Sequence, residues 1–222
     1  MVTEPGTGRK TSMAEDWLGR WQQGRIGWHQ ADGNLYLQHY WPKLPRGSTV
    51  LVPLCGKSAD MTWLAAQGLA VTGIELSDIA ISAFFAENNI EHTVDKAGKL
   101  DCYAAVSAPI RIYCGNYFDY EAAPADALYD RGALSTLPEA ERPAYIEHTK
   151  SLLRPDAFRL IITLEYEQAM ANGPPFSVLA EELQQYWPDL QRVAAHNDIE
   201  NCPPKFRQAG LDAVVEAAWT SA

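Results

Sequence analysis

The sequence predicts an α/β protein built on a mostly parallel sheet, and three observations carry that expectation. Short apolar runs alternate along the chain with stretches of helical periodicity. The run at residues 49–54 is apolar almost throughout, as a strand covered by helices on both faces must be. The chain has 222 residues, 47% of them hydrophobic and 21% charged, which suits one soluble domain and argues against disorder.

The elements follow in order. Residues 1–15 hold no apolar stretch, so they form no secretory signal and are expected to be a flexible polar tail. A single domain is expected over 16–222, opening with an aromatic segment at 16–45 that acts as a lid. Trp17, Trp21, Trp28, Tyr36, Tyr40 and Trp41 crowd this segment, and Trp17 and Trp21 stand four apart on one helical face. The first strand, 49–54, ends at Pro53, which lacks a ladder donor. A turn at Cys55-Gly56-Lys57 follows, with Ser58 as the expected cap of a helix and Asp60 in its first turn. Gly68 stops that helix.

The second strand, 70–76, carries Glu75 near its end, and Ser77 caps a helix over 78–88 packed through Ala80, Ala83, Phe84 and Phe85. Residues 89–108 follow no single period. Further strands are expected at 110–114, 127–130 and 158–164, a helix at 138–153, and a stiff turn at Gly173-Pro174-Pro175 before a helix near Ser177. Residues 192–196 and 213–219 suit a closing pair of strands.

Composition excludes several partners. With 18 basic and 28 acidic residues the net charge is −10, which repels phosphate backbones and anionic membranes, so neither nucleic acid nor membrane is expected. No run approaches the roughly 20 apolar residues of a membrane span. Cys55, Cys102, Cys114 and Cys202 follow no metal-type spacing and the histidines form no H-x-x-x-H pair, so no metal is expected. Free thiols and a missing signal suit a cytoplasmic protein.

The strand–turn–helix–strand unit is the chief functional signal. Gly56 allows a ligand close to the backbone, and Glu75 ends the next strand, where a carboxylate can accept from two ribose hydroxyls. A phosphate-binding loop would need glycine where Leu51 stands, and Gly56 alone is no G-x-G-x-x-G, so a ligand with ribose but no phosphate fits better. At the end of the 127–130 strand, Asp130 and Arg131 are expected to face one crevice, where Arg131 can clamp an anion. His29 and Cys55 are read as a bonded structural histidine and an inert thiol.

Several motifs together are similar to one family. Val50-Leu51-Val52-Pro53-Leu54-Cys55-Gly56-Lys57-Ser58, Gly73-Ile74-Glu75-Leu76-Ser77, Tyr129-Asp130-Arg131-Gly132-Ala133-Leu134 and Gly173-Pro174-Pro175-Phe176 resemble thiopurine S-methyltransferases. Trp17-Leu18-Gly19-Arg20-Trp21 and Ile26-Gly27-Trp28-His29-Gln30 fit the same pattern, so the resemblance spans residues 16–219. It implies the class I methyltransferase fold, with a seven-stranded sheet between helices, and S-adenosylmethionine as methyl donor with no metal. It implies that Leu54 lines the donor pocket, that Glu75 holds the ribose, and that Asn116 and Tyr117 flank the adenine. Trp17 and Trp21 then fold over the donor, Trp28 faces the acceptor at a position commonly phenylalanine, and Arg131, the catalytic candidate, reaches donor or acceptor. Lys205-Phe206-Arg207 falls in a basic stretch of the family and receives no role.

The acceptor implied is an aromatic or heterocyclic thiol, and a monomer is expected. Small selenium, tellurium or sulfur species remain an alternative acceptor class, and a donor-binding module without catalysis is the rival of a different kind.

Overall fold

The computed structural model describes residues 13–25, 30 and 32–221. Trp28 and His29, singled out above, lie outside the described residues, as do 1–12.

Helix α1 (Met13–Gln22) begins inside the stretch expected as tail, and α2 (Leu35–Tyr40) follows under an Asn34 cap whose side chain accepts from the Tyr36 and Leu37 amides. The core then alternates: β1 (Thr49–Pro53), α3 (Asp60–Ala66), β2 (Ala70–Glu75) and α4 (Asp78–Glu87). Ser77 caps α4 as expected, accepting from the Ala80 amide. Ser58 instead sits one residue before the α3 cap, Ala59, and exchanges hydrogen bonds with Asp60. A hairpin, β3 (His92–Ala97) and β4 (Leu100–Ala105), precedes β5 (Ile110–Cys114). Next come β6 (Ala125–Arg131), α5 (Ala133–Thr136), α6 (Arg142–Ser151) and β7 (Leu153–Glu165). Helix α7 (Ala180–Tyr186), β8 (Gln191–Asn197), α8 (Lys205–Gln208) and β9 (Val215–Thr220) complete the chain.

The sheet has nine strands in the order β3-β4-β5-β2-β1-β6-β7-β9-β8, not seven. The two additional strands are the hairpin in residues 89–108. Every position of β3 from His92 to Lys96 is exposed, so no apolar alternation marks it, and backbone pairing to β4 alone defines it. The other seven strands fall close to the seven runs expected as strands. Five adjacent strands, β5-β2-β1-β6-β7, run parallel, and the antiparallel β9 follows.

The alternation of side chains divides the core between the two faces of the sheet. Val50, Val52, Ala127, Tyr129 and Leu160 pack with α3 and α4 residues such as Met61, Leu64 and Phe84. Leu51, Leu128 and Ile161 pack on the other face with Tyr145 and Ile146 of α6 and Leu183 of α7. Burying each such aliphatic side chain contributes about 1.5–3 kcal/mol, which makes the central strands the rigid part of the molecule. The chain leaves β1 toward β2 and β5 on one side, then returns to place β6 and β7 on the other. The C-terminal ends of β1 and β6 therefore flank the switch point where ligands bind in open α/β sheets.

Candidate active site

The turn after β1 is built around two left-handed residues, Leu54 at φ +46° and Gly56 at φ +54°. A leucine in that region is strained, so the packing around β1 holds it there. At Gly56 the space is closed as well as the angle unusual: a β-carbon would lie 3.3 Å from Cζ2 of Trp21. The indole of Trp21, 8% exposed, thus lies directly on the turn, and α1 covers the strand ends. Trp17, one helical turn earlier, is half-buried, with the Arg20 guanidinium 5.2 Å from its ring centre.

Glu75 ends β2 beside this turn and is 7% exposed. Its two oxygens accept from the Gly56 amide at 2.9 Å and the Ser77 amide at 2.8 Å. Burial pushes the carboxyl above its ordinary range, and the amides of Ser77, Gly56 and Leu76 pull in the opposite direction. The carboxylate therefore points inward at the strand tips. Lys57 is not poised for phosphate, since its ammonium pairs with Glu87 at 2.6 Å. A buried carboxylate, an amide-lined turn and a cation occupied elsewhere fit an adenosine group without phosphate.

One strand over, Asn116 is exposed and caps a single 3-10 turn, accepting from the Phe118 amide. The Tyr117 ring is committed to packing against Tyr145 and His148, with its hydroxyl 2.9 Å from Thr149 Oγ1. Burial raises its phenol strongly.

Asp130 and Arg131 do not share a crevice, because neighbours on a strand face opposite sides of the sheet. Asp130 is buried toward α6, where it accepts from Tyr145 Oη at 2.7 Å and the Leu134 amide at 3.2 Å. Burial lifts its carboxyl to about 6. Arg131 lies on the Tyr129 side, 15% exposed, and donates through Nε to Asp60 Oδ2 at 3.1 Å.

Residues the sequence did not single out complete the surroundings. Asp60 is fully buried. Lys205, in the basic stretch left without a role, donates Nζ–H to the carbonyls of Asn172 and Pro174, on either side of Gly173. Burial, and then the charge of Arg20, depress its ammonium. His196, Asp198 and Glu216 bring three potential metal-binding atoms within 4.8 Å of one another. These groups bond Tyr36, Asn201 and Asn34, forming a polar clasp between the N-terminal segment and the β8–β9 edge. The four cysteines are free thiols, and burial raises Cys55 strongly and Cys114 to about 11. Two open clefts, of about 320 and 280 Å³, lie elsewhere, beside Phe118 and His148 and beside Ile90 and Pro109. The candidate site lies at the strand tips, where Glu75 meets the Gly56 turn and Trp21 lies on that turn.

The family model for thiopurine S-methyltransferase matches residues 12–222. The chain belongs to the thiopurine S-methyltransferase family. A curated thiopurine S-methyltransferase of Bordetella petrii is 44% identical over 205 residues, covering 89% of this chain and 93% of that one. The Pseudomonas putida enzyme of the same name is 42% identical over 210 residues, covering 91% and 96%. Among solved structures, an S-adenosylmethionine-dependent methyltransferase of Anabaena variabilis superposes with a TM-score of 0.63 at 13% identity, covering 96% of each chain. A Burkholderia thailandensis 1,6-didemethyltoxoflavin-N1-methyltransferase, solved with S-adenosylhomocysteine, gives 0.60 at 18% identity, covering 100% of this chain and 94% of that one. At these identities the superpositions establish the methyltransferase fold, which the family shares.

Proposed function

We propose that this protein transfers the methyl group of S-adenosylmethionine to the sulfur of an aromatic or heterocyclic thiol of the thiopurine kind. The observation that carries the reading is the meeting of Glu75, Gly56 and Trp21 at the strand tips, in a chain of this family. Glu75 holds the ribose hydroxyls, and Leu54 lines the same pocket. Asn116 and the backbone at Tyr117 flank the adenine, and Trp17 and Trp21 close over the donor. By the family resemblance alone Trp28, outside the described residues, is assigned to the acceptor, and Arg131 stands on the acceptor side.

S-adenosylmethionine supplies an electrophilic methyl on a cationic sulfonium. The protein's part is alignment and the exclusion of water. An anionic thiolate meeting a cation loses charge toward the transition state, so a dry pocket favours transfer and little new charge needs stabilising. The Trp21 cover over the Gly56 turn supplies that exclusion. The Arg131 guanidinium favours the thiolate over the thiol in the acceptor, which makes a dedicated base unnecessary. Burial raises the Cys55 and Cys114 thiols, which makes neither a ready nucleophile and favours direct transfer to the acceptor.

The net charge of −10 suits a small-molecule acceptor over a polyanion. Among the described residues, no helix is long and apolar enough to cross a membrane. A monomeric, cytoplasmic enzyme with 16–45 as its lid completes the proposal. The test is an acceptor panel with S-adenosylmethionine: aromatic thiols, their hydroxyl isosteres, and selenium and tellurium oxyanions. Methyl thioether from the thiols alone is expected. Product only from the metalloids would reassign the acceptor, and donor binding with no product would leave a binding module.

A further inference from the structure

We propose that Asp60 is a positioning residue for the transfer step: it fixes the guanidinium of Arg131 and ties the N-terminal segment to it. The inference rests on the acceptor-side role of Arg131 given above. Asp60 stands in the first turn of α3, four residues after Gly56, a place where an acidic side chain ordinarily reaches into solvent. Here it is 1% exposed. A buried carboxylate is costly unless its lone pairs are filled, and these are. Oδ1 accepts from the Asn34 amide at 2.7 Å. Oδ2 accepts from Ser58 Oγ at 2.9 Å, Tyr129 Oη at 2.8 Å and Arg131 Nε at 3.1 Å.

These donors come from three parts of the fold. Ser58 belongs to the donor turn, Tyr129 and Arg131 to the end of β6, and Asn34 to the segment preceding α2. The chain approaches so closely at Gly33, φ +73°, that a β-carbon there would sit 2.8 Å from Asp60 Oδ1. Asn34 is fixed in turn, its oxygen capping α2 and its amide nitrogen 2.8 Å from Glu216 Oε1. Anchoring Arg131 through Nε sets the direction in which its terminal nitrogens point, and a misdirected cation loses alignment. The net charge near Arg131 argues the other way. Removing Asp60's negative charge alone would strengthen the positive field and assist thiolate formation, so slower turnover in Asp60→Asn reports position rather than charge.

The test uses the full-length protein and the variants Asp60→Asn, Arg131→Ala, their double mutant, and Tyr129→Phe. Asp60→Asn keeps the shape but turns an N–H toward the donors now bonded to Oδ2. Its kcat/KM for an aromatic thiol should fall at least tenfold, with donor affinity by calorimetry changed less than twofold. Added to Arg131→Ala, it should cost less than a further twofold. Tyr129→Phe removes one bond to the same carboxylate while leaving Arg131, so it should lower Tm and keep kcat/KM within twofold. Independently of turnover, phenylglyoxal should modify Arg131 severalfold faster in unliganded Asp60→Asn than in wild type or Tyr129→Phe, read by peptide mass spectrometry. Multiplying losses in the double mutant, an equal loss in Tyr129→Phe, or unchanged modification of Arg131 would overturn the proposal. A wild-type protein that methylates no thiol would instead overturn the function proposed above, while the modification rates still report whether Asp60 holds Arg131.

Discussion

Replacing Glu75 by glutamine separates binding from folding at the donor site. A carboxylate offers about four lone-pair positions. The Gly56 and Ser77 amides use one each, at 2.9 and 2.8 Å, leaving two positions for the ribose hydroxyls. Glutamine is nearly isosteric but puts an N–H against one of these amides and carries no charge. A hydrogen bond to a charged group is worth about 1.5–3 kcal/mol, so losing one from the ribose should weaken the donor by roughly 10- to 150-fold. Orphaning a buried amide costs about 1–3 kcal/mol of stability, a Tm loss of a few degrees for a chain of this size. The assay is calorimetric titration with S-adenosylhomocysteine, alongside circular dichroism to verify the fold. Because burial raises the Glu75 carboxyl, wild-type affinity should decline with acid sooner than for an ordinary carboxylate, and Glu75→Gln should lack that decline. A folded variant whose Kd stays within twofold of wild type would refute the reasoning.

Other perturbations probe the remaining parts. Asp130 binds a proton more readily folded than unfolded between about 3.8 and 6, so its burial costs stability as pH rises through that window. Asp130→Asn should flatten the decline by as much as roughly 3 kcal/mol, and parallel urea-denaturation curves at pH 4 and 7 would contradict this. Gly56→Ala forces a β-carbon against Trp21 at an unfavourable φ, costing about 1–2 kcal/mol and opening the cover; unchanged stability and tryptophan emission would count against the closed turn. Native Cys55 should resist iodoacetamide at neutral pH, and rapid labelling would show that its burial is not maintained. Trp28→Phe should change acceptor preference more than donor affinity, and the reverse outcome would remove Trp28 from the acceptor side.

How much of this was legible in the sequence depended on whether a pattern was local. The strand at 49–53 is apolar after Thr49, the strand at 70–75 lies between Gly68 and the Ser77 cap, and that cap follows from its own neighbours, so each was readable. The β3–β4 hairpin was not, because its exposed strand His92–Ala97 has no buried face to mark a period. Glu75 stood out as a carboxylate ending the strand that follows the Gly56 turn, within one βαβ unit. Asp60 did not, since its partners Asn34, Tyr129 and Arg131 are distant along the chain and a first-turn aspartate needs no tertiary explanation. The Ser58-x-Asp60 pair was the one local hint. Asp130 and Arg131 were read as a unit from adjacency, where strand alternation sends them to opposite faces. Lys205 showed only as positive charge, and its contacts with carbonyls around Gly173 come from the folded loop.

The most direct test of the account is a crystal structure of the complex with S-adenosylhomocysteine and an aromatic thiol. Both ribose hydroxyls should lie within hydrogen-bond distance of Glu75, with the thiol sulfur facing the donor sulfur on the Arg131 side. A ribose bound away from Glu75, or a thiol seated outside the pocket beneath Trp21, would contradict it.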